Sequence, residues 1–597
     1  MTANDETVPA ASQHFKENLA KIEALTLRLS EALSHKRAIN PALEGPGADL
    51  YMKAGGSVLR EMMEKPSKIV EAQVAYWGQA MTQYMEATEA LRGGTLAPPA
   101  DKGRPDRRFT NPLWDSHPYF NFVKQQYLIA SDAVTDSLAN LEGLDDVDRK
   151  RMEYFAKQIV DLMAPTNFLA TNPDALERAV ETEGESLVRG LENLVRDVEA
   201  NKGDLVVTLA DRDAFKLGEN LATTEGSVVY RNRLFELIQY APTTETVHKT
   251  PLLIFPPWIN KYYVLDLKPA NSLIKWIVDQ GFTLFVVAWR NPDQSFADTG
   301  IEDYIEHGYL TAIEQVKAIT GAPKLSAVGY CIAGTALSLT LALLHKRKDK
   351  SINSATFFTA LTDFSDQGEF TAFLQDDFVD GIEAQCKADG VLSSYFMTRT
   401  FSFLRANDLI YQPAIRSYML GERPPAFDLL YWNGDSTNLA GKMTVQYLRK
   451  LCQQNMFAKG GFELLGETLR IKDVRVPLMA IACETDHIAP WVASFNGISQ
   501  MGAKEKTFVL AQSGHIAGIV NPPSKQKYGH YLSDAPIENH ADWRAQATFE
   551  KESWWPQWGE WLAKKSGRFV TARPVGGPDH PVLCAAPGSY VLEKPEL

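Results

Sequence analysis

A chain of 597 residues with 45% hydrophobic and 23% charged side chains is globular and long enough for more than one core. Its net charge of -13 lacks the concentrated Lys and Arg that phosphate backbones demand, so no nucleic-acid partner is expected. Five scattered cysteines, with no CxxC pair and no Cys/His cluster at zinc spacing, argue against a disulfide framework or a metal site and point to a reduced, cytoplasmic chain.

The N-terminal stretch MTANDETVPAASQHFKEN has neither a basic nor an apolar signal region, and no apolar run reaches the roughly 18 residues a membrane span needs. Neither secretion nor a transmembrane segment is expected. Phe15, Leu19, Ile22, Leu25, Leu29 and Leu33 recur at spacings of three and four, which predicts a helix over 15–34. The same periodicity predicts helices over 51–91, 120–141 and 173–198, with the Gly/Pro/Arg-rich stretch 93–108 as a linker. Nothing before about 205 alternates like a strand. Residues 1–205 therefore read as an all-helical N-terminal domain suited to partner or surface binding, although helix-on-helix packing is the commoner fate of such faces.

From 206 to 597 short apolar runs alternate with helix-like segments, the texture of a mostly parallel sheet with crossovers. The expected strands are 252–255, 283–289, 325–329, 355–361, 478–483 and 507–510. The aromatic, irregular interval 362–475 breaks this rhythm and reads as a cap or lid over the sheet. The basic cluster His345 to Lys350 closes a helix-like run and reads as solvated charge at a helix C-terminus, with a coenzyme phosphate contact as the alternative.

The chemistry-bearing segment is LSAVGYCIAGTALSLTLALL, where a strand runs straight into a helix at Cys331. Gly329, Ala333 and Gly334 supply the small residues that a nucleophile elbow needs, since its turn is tight and raises the nucleophile at a helix N-terminus. That position favours a thiolate, and the backbone N–H of Ile332 is placed to serve an oxyanion. The alternative, a small buried cysteine at a strand end, is weakened by two later segments in the order this fold requires. VPLMAIACETDHIAP delivers Asp486 after one strand and KTFVLAQSGHIAGIV delivers His515 after the next. Glu484 and His487 compete with Asp486 for the acid's place. The loop after 252–255 offers a second oxyanion N–H from Trp258 or Ile259.

These residues resemble the polyhydroxyalkanoate synthases, in particular the class I type that needs no second kind of subunit. The resemblance is carried in order by NPLW (111–114), PPWINKYYVLDL (256–267), WRNPD (289–293), GYCIAGT (329–335), YWNGDSTNL (431–439), DHIAPW (486–491), GHIAGIVNPP (514–523) and WWPQW (554–558). It departs from the family's G-x-C-x-G box at Ala333, with glycine one residue later. Alanine still suits a tight turn, and a shift in acyl-chain preference is the expected consequence.

The resemblance implies an α/β-hydrolase fold with a mobile cap behind the helical domain, a homodimer, and cytoplasmic residence on polymer granules beside granule-coating proteins. It implies growth of a polyester from (R)-3-hydroxyacyl-CoA with coenzyme A as leaving group, no cofactor and no metal, and Cys331, Asp486 and His515 as the catalytic set. Trp432, Asn433, Arg405 and His487 are the expected substrate or coenzyme A contacts, with core packing of the cap as the alternative for Trp432. Either His515 or Asp486 is left to deprotonate the 3-hydroxyl. A thioesterase or depolymerase on the same fold and a noncatalytic granule scaffold are the rival readings.

Overall fold

The structure, a computed structural model, describes residues 13–35, 106–139 and 144–595, with scattered helical positions between 76 and 88. Most of the expected helix over 51–91 and most of the linker lie outside the described residues. The chain divides into two compact units, one running to Leu209 and taking in Phe401–Pro425, the other holding Ala210–Thr400 and Ala426–Leu597.

The helical unit contains α1 (Gln13–Ser34), α2 (Pro118–Ala139), α3 (Asp146–Leu162), α4 (Pro173–Glu181) and α5 (Glu185–Ala200). The single helix expected over 173–198 is thus two. The break falls at Gly184, whose φ of +84° only glycine adopts cheaply and whose N–H reaches back to the Ala179 carbonyl at 2.8 Å, closing the last turn of α4. Leu25 of α1 is buried with Val188 and Val195 of α5, so the apolar stripe read in the sequence faces another helix.

Residues 401–425, read above as part of the cap, group with these helices for a local reason. Asn193 donates to the carbonyls of Ser417 (3.0 Å) and Glu422 (3.1 Å), and the Tyr418 hydroxyl donates to Asp197 at 2.7 Å. Gly190 allows the approach, because a Cβ there would lie 2.0 Å from the Tyr418 carbonyl oxygen.

Eleven described strands of the other unit form one sheet. In chain order they are β1 (Gly226–Arg231), β2 (Phe235–Tyr240), β3 (Leu252–Phe255), β4 (Leu284–Trp289), β5 (Leu325–Tyr330), β6 (Ile352–Phe358), β7 (Leu478–Cys483), β8 (Lys506–Ala511), β9 (His530–Leu532), β10 (Thr548–Glu550) and β11 (Cys584–Ala585). Across the sheet the order is β10-β9-β8-β7-β6-β5-β3-β4-β2-β1-β11. The six strands from β4 to β8 pair in parallel and those outside them antiparallel. This is the α/β-hydrolase fold anticipated from the sequence, and the six expected strands are the six parallel ones.

The antiparallel flank escaped sequence reading because its pattern is disguised. β2 carries Glu236 and Gln239, both fully buried, and charge or amide inside a strand reads as loop. Their partners lie far along the chain: Ser589 and Tyr590 donate to Glu236, while Gln239 bonds the Pro574 carbonyl and the Gly576 N–H.

The helix after β5, α6 (Ile332–Lys346), is buried along Ile332–Leu344, which explains its apolar circumference. Among the described residues no helix is long and apolar enough to cross a membrane. All five cysteines are free thiols.

Candidate active site

Parallel strands deliver their C-terminal ends to one edge of a sheet, and loops that leave that edge hold the site of an open α/β fold. β5, β7 and β8 do this here for Cys331, Asp486 and His515. Cys331 sits between β5 and α6 with φ +56° and ψ -128°, a strained conformation that persists because its surroundings over-determine it. Its N–H donates to the Phe358 carbonyl at 2.9 Å, and its own carbonyl accepts from Gly334 (2.8 Å) and Thr335 (3.3 Å). Ile332 follows at the first helical position, where an N–H has no intrahelical acceptor.

The departure at Ala333 is accommodated by the glycine beside it. A Cβ on Gly329 would stand 2.6 Å from the Gly334 Cα, and one on Gly334 would stand 2.4 Å from the Ala360 Cβ, so strand and helix cross at this glycine pair. Ala333 is buried, and its carbonyl accepts from the Tyr309 hydroxyl at 2.7 Å. Gly329→Ala is expected to cost about 1–3 kcal/mol through overpacking, read as a lower denaturant midpoint, whereas Ala333→Gly leaves the crossing intact.

His515 Nδ1 lies 2.7 Å from Asp486 Oδ2, and both side chains are buried. The second carboxylate oxygen accepts the N–H groups of Ile488 (2.8 Å) and Ala489 (2.9 Å), so the turn after β7 holds Asp486 in one orientation. Burial by itself pulls the His515 pKa down, but the Asp486 carboxylate, the Cys331 sulfur and hydrogen bonds to both side chains outweigh it and push the imidazole up to about 10. Cys331 is half-buried, the most accessible of the three.

Residues to which the sequence reading gave no individual role support this trio. The Tyr330 hydroxyl donates to the His515 carbonyl at 3.1 Å, and its ring stacks on the imidazole. Trp554 and Trp555 donate to the carbonyls of Gly518 (2.7 Å) and Ile519 (2.9 Å), which gives the WWPQW motif its task of bracing the histidine loop. A tryptophan pair near a C-terminus signals burial, but only the fold shows against what.

The loop after β3 runs at the same sheet edge, since Phe255 pairs with Gly329. Trp258 is buried and Ile259 half-buried, and both carbonyls accept from the Thr437 hydroxyl, at 2.7 and 2.8 Å. Trp432 is buried with its indole N–H on the Lys261 carbonyl at 2.7 Å, so its polar atom serves the loop. Asn433 ends the short helix Asp428–Asn433, half-buried, and His487 is half-buried directly after Asp486. Arg405 belongs to the helical unit. Tyr447, inside the cap interval, was not singled out from the sequence. It is close enough to Cys331 to interact electrostatically, and burial holds its phenol well above the usual range. Among the described residues no group of three or more His, Cys, Asp or Glu is placed to hold a metal ion.

A cysteine raised on a strand-to-helix turn, with a histidine and an aspartate from later parallel strands, defines an enzyme of the α/β-hydrolase fold. Residues 250–522 match the family described as alpha/beta hydrolase fold, and residues 105–277 match the one described as Poly-beta-hydroxybutyrate polymerase (PhaC) N-terminus. The chain is 40% identical to the poly(3-hydroxyalkanoate) polymerase of Methylorubrum extorquens, over 96% of each chain. It is 39% identical to the poly(3-hydroxyalkanoate) polymerase subunit of Rhizobium meliloti, covering 92% of this chain and 89% of that one. The corresponding subunit of Cupriavidus necator is also 39% identical, covering 88% and 90%. The chain belongs to the poly(3-hydroxyalkanoate) polymerase family.

Proposed function

We propose that this protein polymerises (R)-3-hydroxyacyl groups from coenzyme A thioesters through an acyl-cysteine on Cys331. The observation that carries the reading is the buried His515–Asp486 pair behind a cysteine on a strained elbow, in a chain 39–40% identical to named polymerases. His515 holds, as imidazolium, the proton that Cys331 has given up, the sulfur attacks the thioester carbonyl, and coenzyme A leaves with that proton. Exchange of thiol for thiol is nearly neutral in energy, so the acyl group stays activated for transfer. A serine ester would discard that activation.

In the next step the 3-hydroxyl of an acyl unit must lose its proton as it attacks the acyl-cysteine. His515 is the better base. Both Asp486 oxygens are engaged, one by His515 and one by two backbone N–H groups, so the carboxylate serves to orient and to balance charge. The Ile332 N–H and an N–H of the 258–259 loop receive the thioester oxygen as it becomes negative. Neither step needs a cofactor or a metal.

The family reading extends this to cytoplasmic polymer granules, a homodimer and granule-coating partners, with residues 1–205 the part suited to association and 206–597 catalytic. Water must be kept from the acyl-cysteine, a task that falls to the aromatic residues of 362–400 and 426–475. The test is to incubate purified protein with (R)-3-hydroxybutyryl-CoA, follow free coenzyme A and identify the acyl product. Solvent-extractable polyester supports the proposal. Free 3-hydroxybutyrate would replace it with a thioesterase, and no release with short or longer acyl chains would replace it with a scaffold.

A further inference from the structure

Lys261 is a buried cation next to the elbow's opposite loop, and the proposed function leaves it unused. Its ammonium is 2.8 Å from Asp435 Oδ1, with both side chains almost without solvent contact, and it donates to the Glu593 carbonyl at 2.9 Å. The other Asp435 oxygen accepts from the Tyr263 hydroxyl at 3.0 Å. The Lys261 carbonyl receives the Trp432 indole N–H at 2.7 Å. A bridge pairs Asn260 with Ser436, and Thr437 donates to the carbonyls of Trp258 and Ile259. Residues 258–263 are thereby zipped to 432–437, and the tail residue Glu593 closes the third side, with its carboxylate on Arg290 at 3.2 Å.

Burying a lone ammonium is costly, so a lysine placed here with an aspartate and a carbonyl around it fixes three chain segments in one arrangement. The segment it fixes most directly carries the second oxyanion donor two residues upstream. We infer that Lys261 is a positioning residue that locks the 258–259 backbone where it meets the developing oxyanion, with Asp435 and the C-terminal tail as its anchors. This rests on the acyl-cysteine reading above.

The experiment compares two reactions of the same sulfur. Acylation of Cys331 by p-nitrophenyl butyrate or by (R)-3-hydroxybutyryl-CoA passes through an oxyanion, whereas alkylation by iodoacetamide does not. In Lys261→Met, acylation is expected to slow at least tenfold in kcat with KM little changed, while the alkylation rate stays within twofold of the unsubstituted protein. Lys261→Arg restores part of the loss. Because Lys261→Met leaves Asp435 buried without its cation, the neutral pair K261M/D435N is measured in parallel, and removal of residues 593–597 is expected to give a smaller loss of the same selective kind. Unchanged acylation in K261M/D435N, or equal falls in acylation and alkylation, would overturn the inference as either no role or a purely structural one. Failure of the polymerase reading is separately visible: the unsubstituted protein would then acylate Cys331 and form no polyester. If neither donor acylated it, both conclusions would fall.

Discussion

Cys331→Ala will release no coenzyme A above background, while the circular dichroism spectrum and denaturant midpoint remain close to those of the unsubstituted protein. Loss of a nucleophile that acts jointly with its base costs about a million-fold in rate, and no sulfur elsewhere can substitute. Burial pushes the thiols of all four other cysteines, Cys386, Cys452, Cys483 and Cys584, toward the protonated form. The fold is spared because the elbow is held by backbone contacts, from Cys331 N–H to the Phe358 carbonyl and from Gly334 N–H to the Cys331 carbonyl, which alanine also makes. Coenzyme A release above about 1% of the normal rate would remove Cys331 from the mechanism. A serine in its place is the informative companion, since it keeps the geometry and exchanges an activated thioester for an ester.

Asp486→Asn is expected to lower turnover about ten-thousand-fold, because the amide cannot hold the imidazole in the tautomer that accepts the cysteine proton. The same substitution carries a pH signature. Folded His515 binds its proton up to about pH 10, whereas an unfolded histidine releases it near 6.5. Between those values the folded state holds more protons than the unfolded state, so the stability His515 contributes is fully present below about pH 6.5 and is lost as pH rises toward 10. Removing the Asp486 carboxylate leaves burial, which pulls the imidazole pKa down, with much less opposing it. Denaturant midpoints measured from pH 6.5 to 10 should therefore fall with pH in the unsubstituted protein and flatten in Asp486→Asn. Parallel slopes for the two proteins would show that the carboxylate does not set the charge of His515.

The parallel core was legible because each buried strand is a short apolar run read independently of its neighbours, and β3, β5, β7 and β8 begin or end within a residue of expectation. Cys331 was legible for the same local reason: the strain of a strand-to-helix turn demands small residues at fixed offsets, and Gly329, Ala333 and Gly334 stand at them. The break at Gly184 was missed because an apolar stripe continues through it while a single left-handed residue ends the helix. The antiparallel flank was missed because Glu236 and Gln239 are buried among partners from residues 574–590, which no local window contains.

Within the site the division follows sequence distance. The elbow at Cys331 and the strand ends that carry Asp486 and His515 were written in the chain, because a strand, a tight turn and a helix N-terminus are local physics. That Asp486 and His515 meet at 2.7 Å, that Tyr330 and the tryptophans brace the histidine loop, and that Lys261 joins Asp435 to the C-terminal tail were decided by the tertiary structure alone. Each of these is a buried polar contact between segments that are separate elements of the fold, and a buried polar group finds its partner only after the strands have brought those segments to one edge of the sheet.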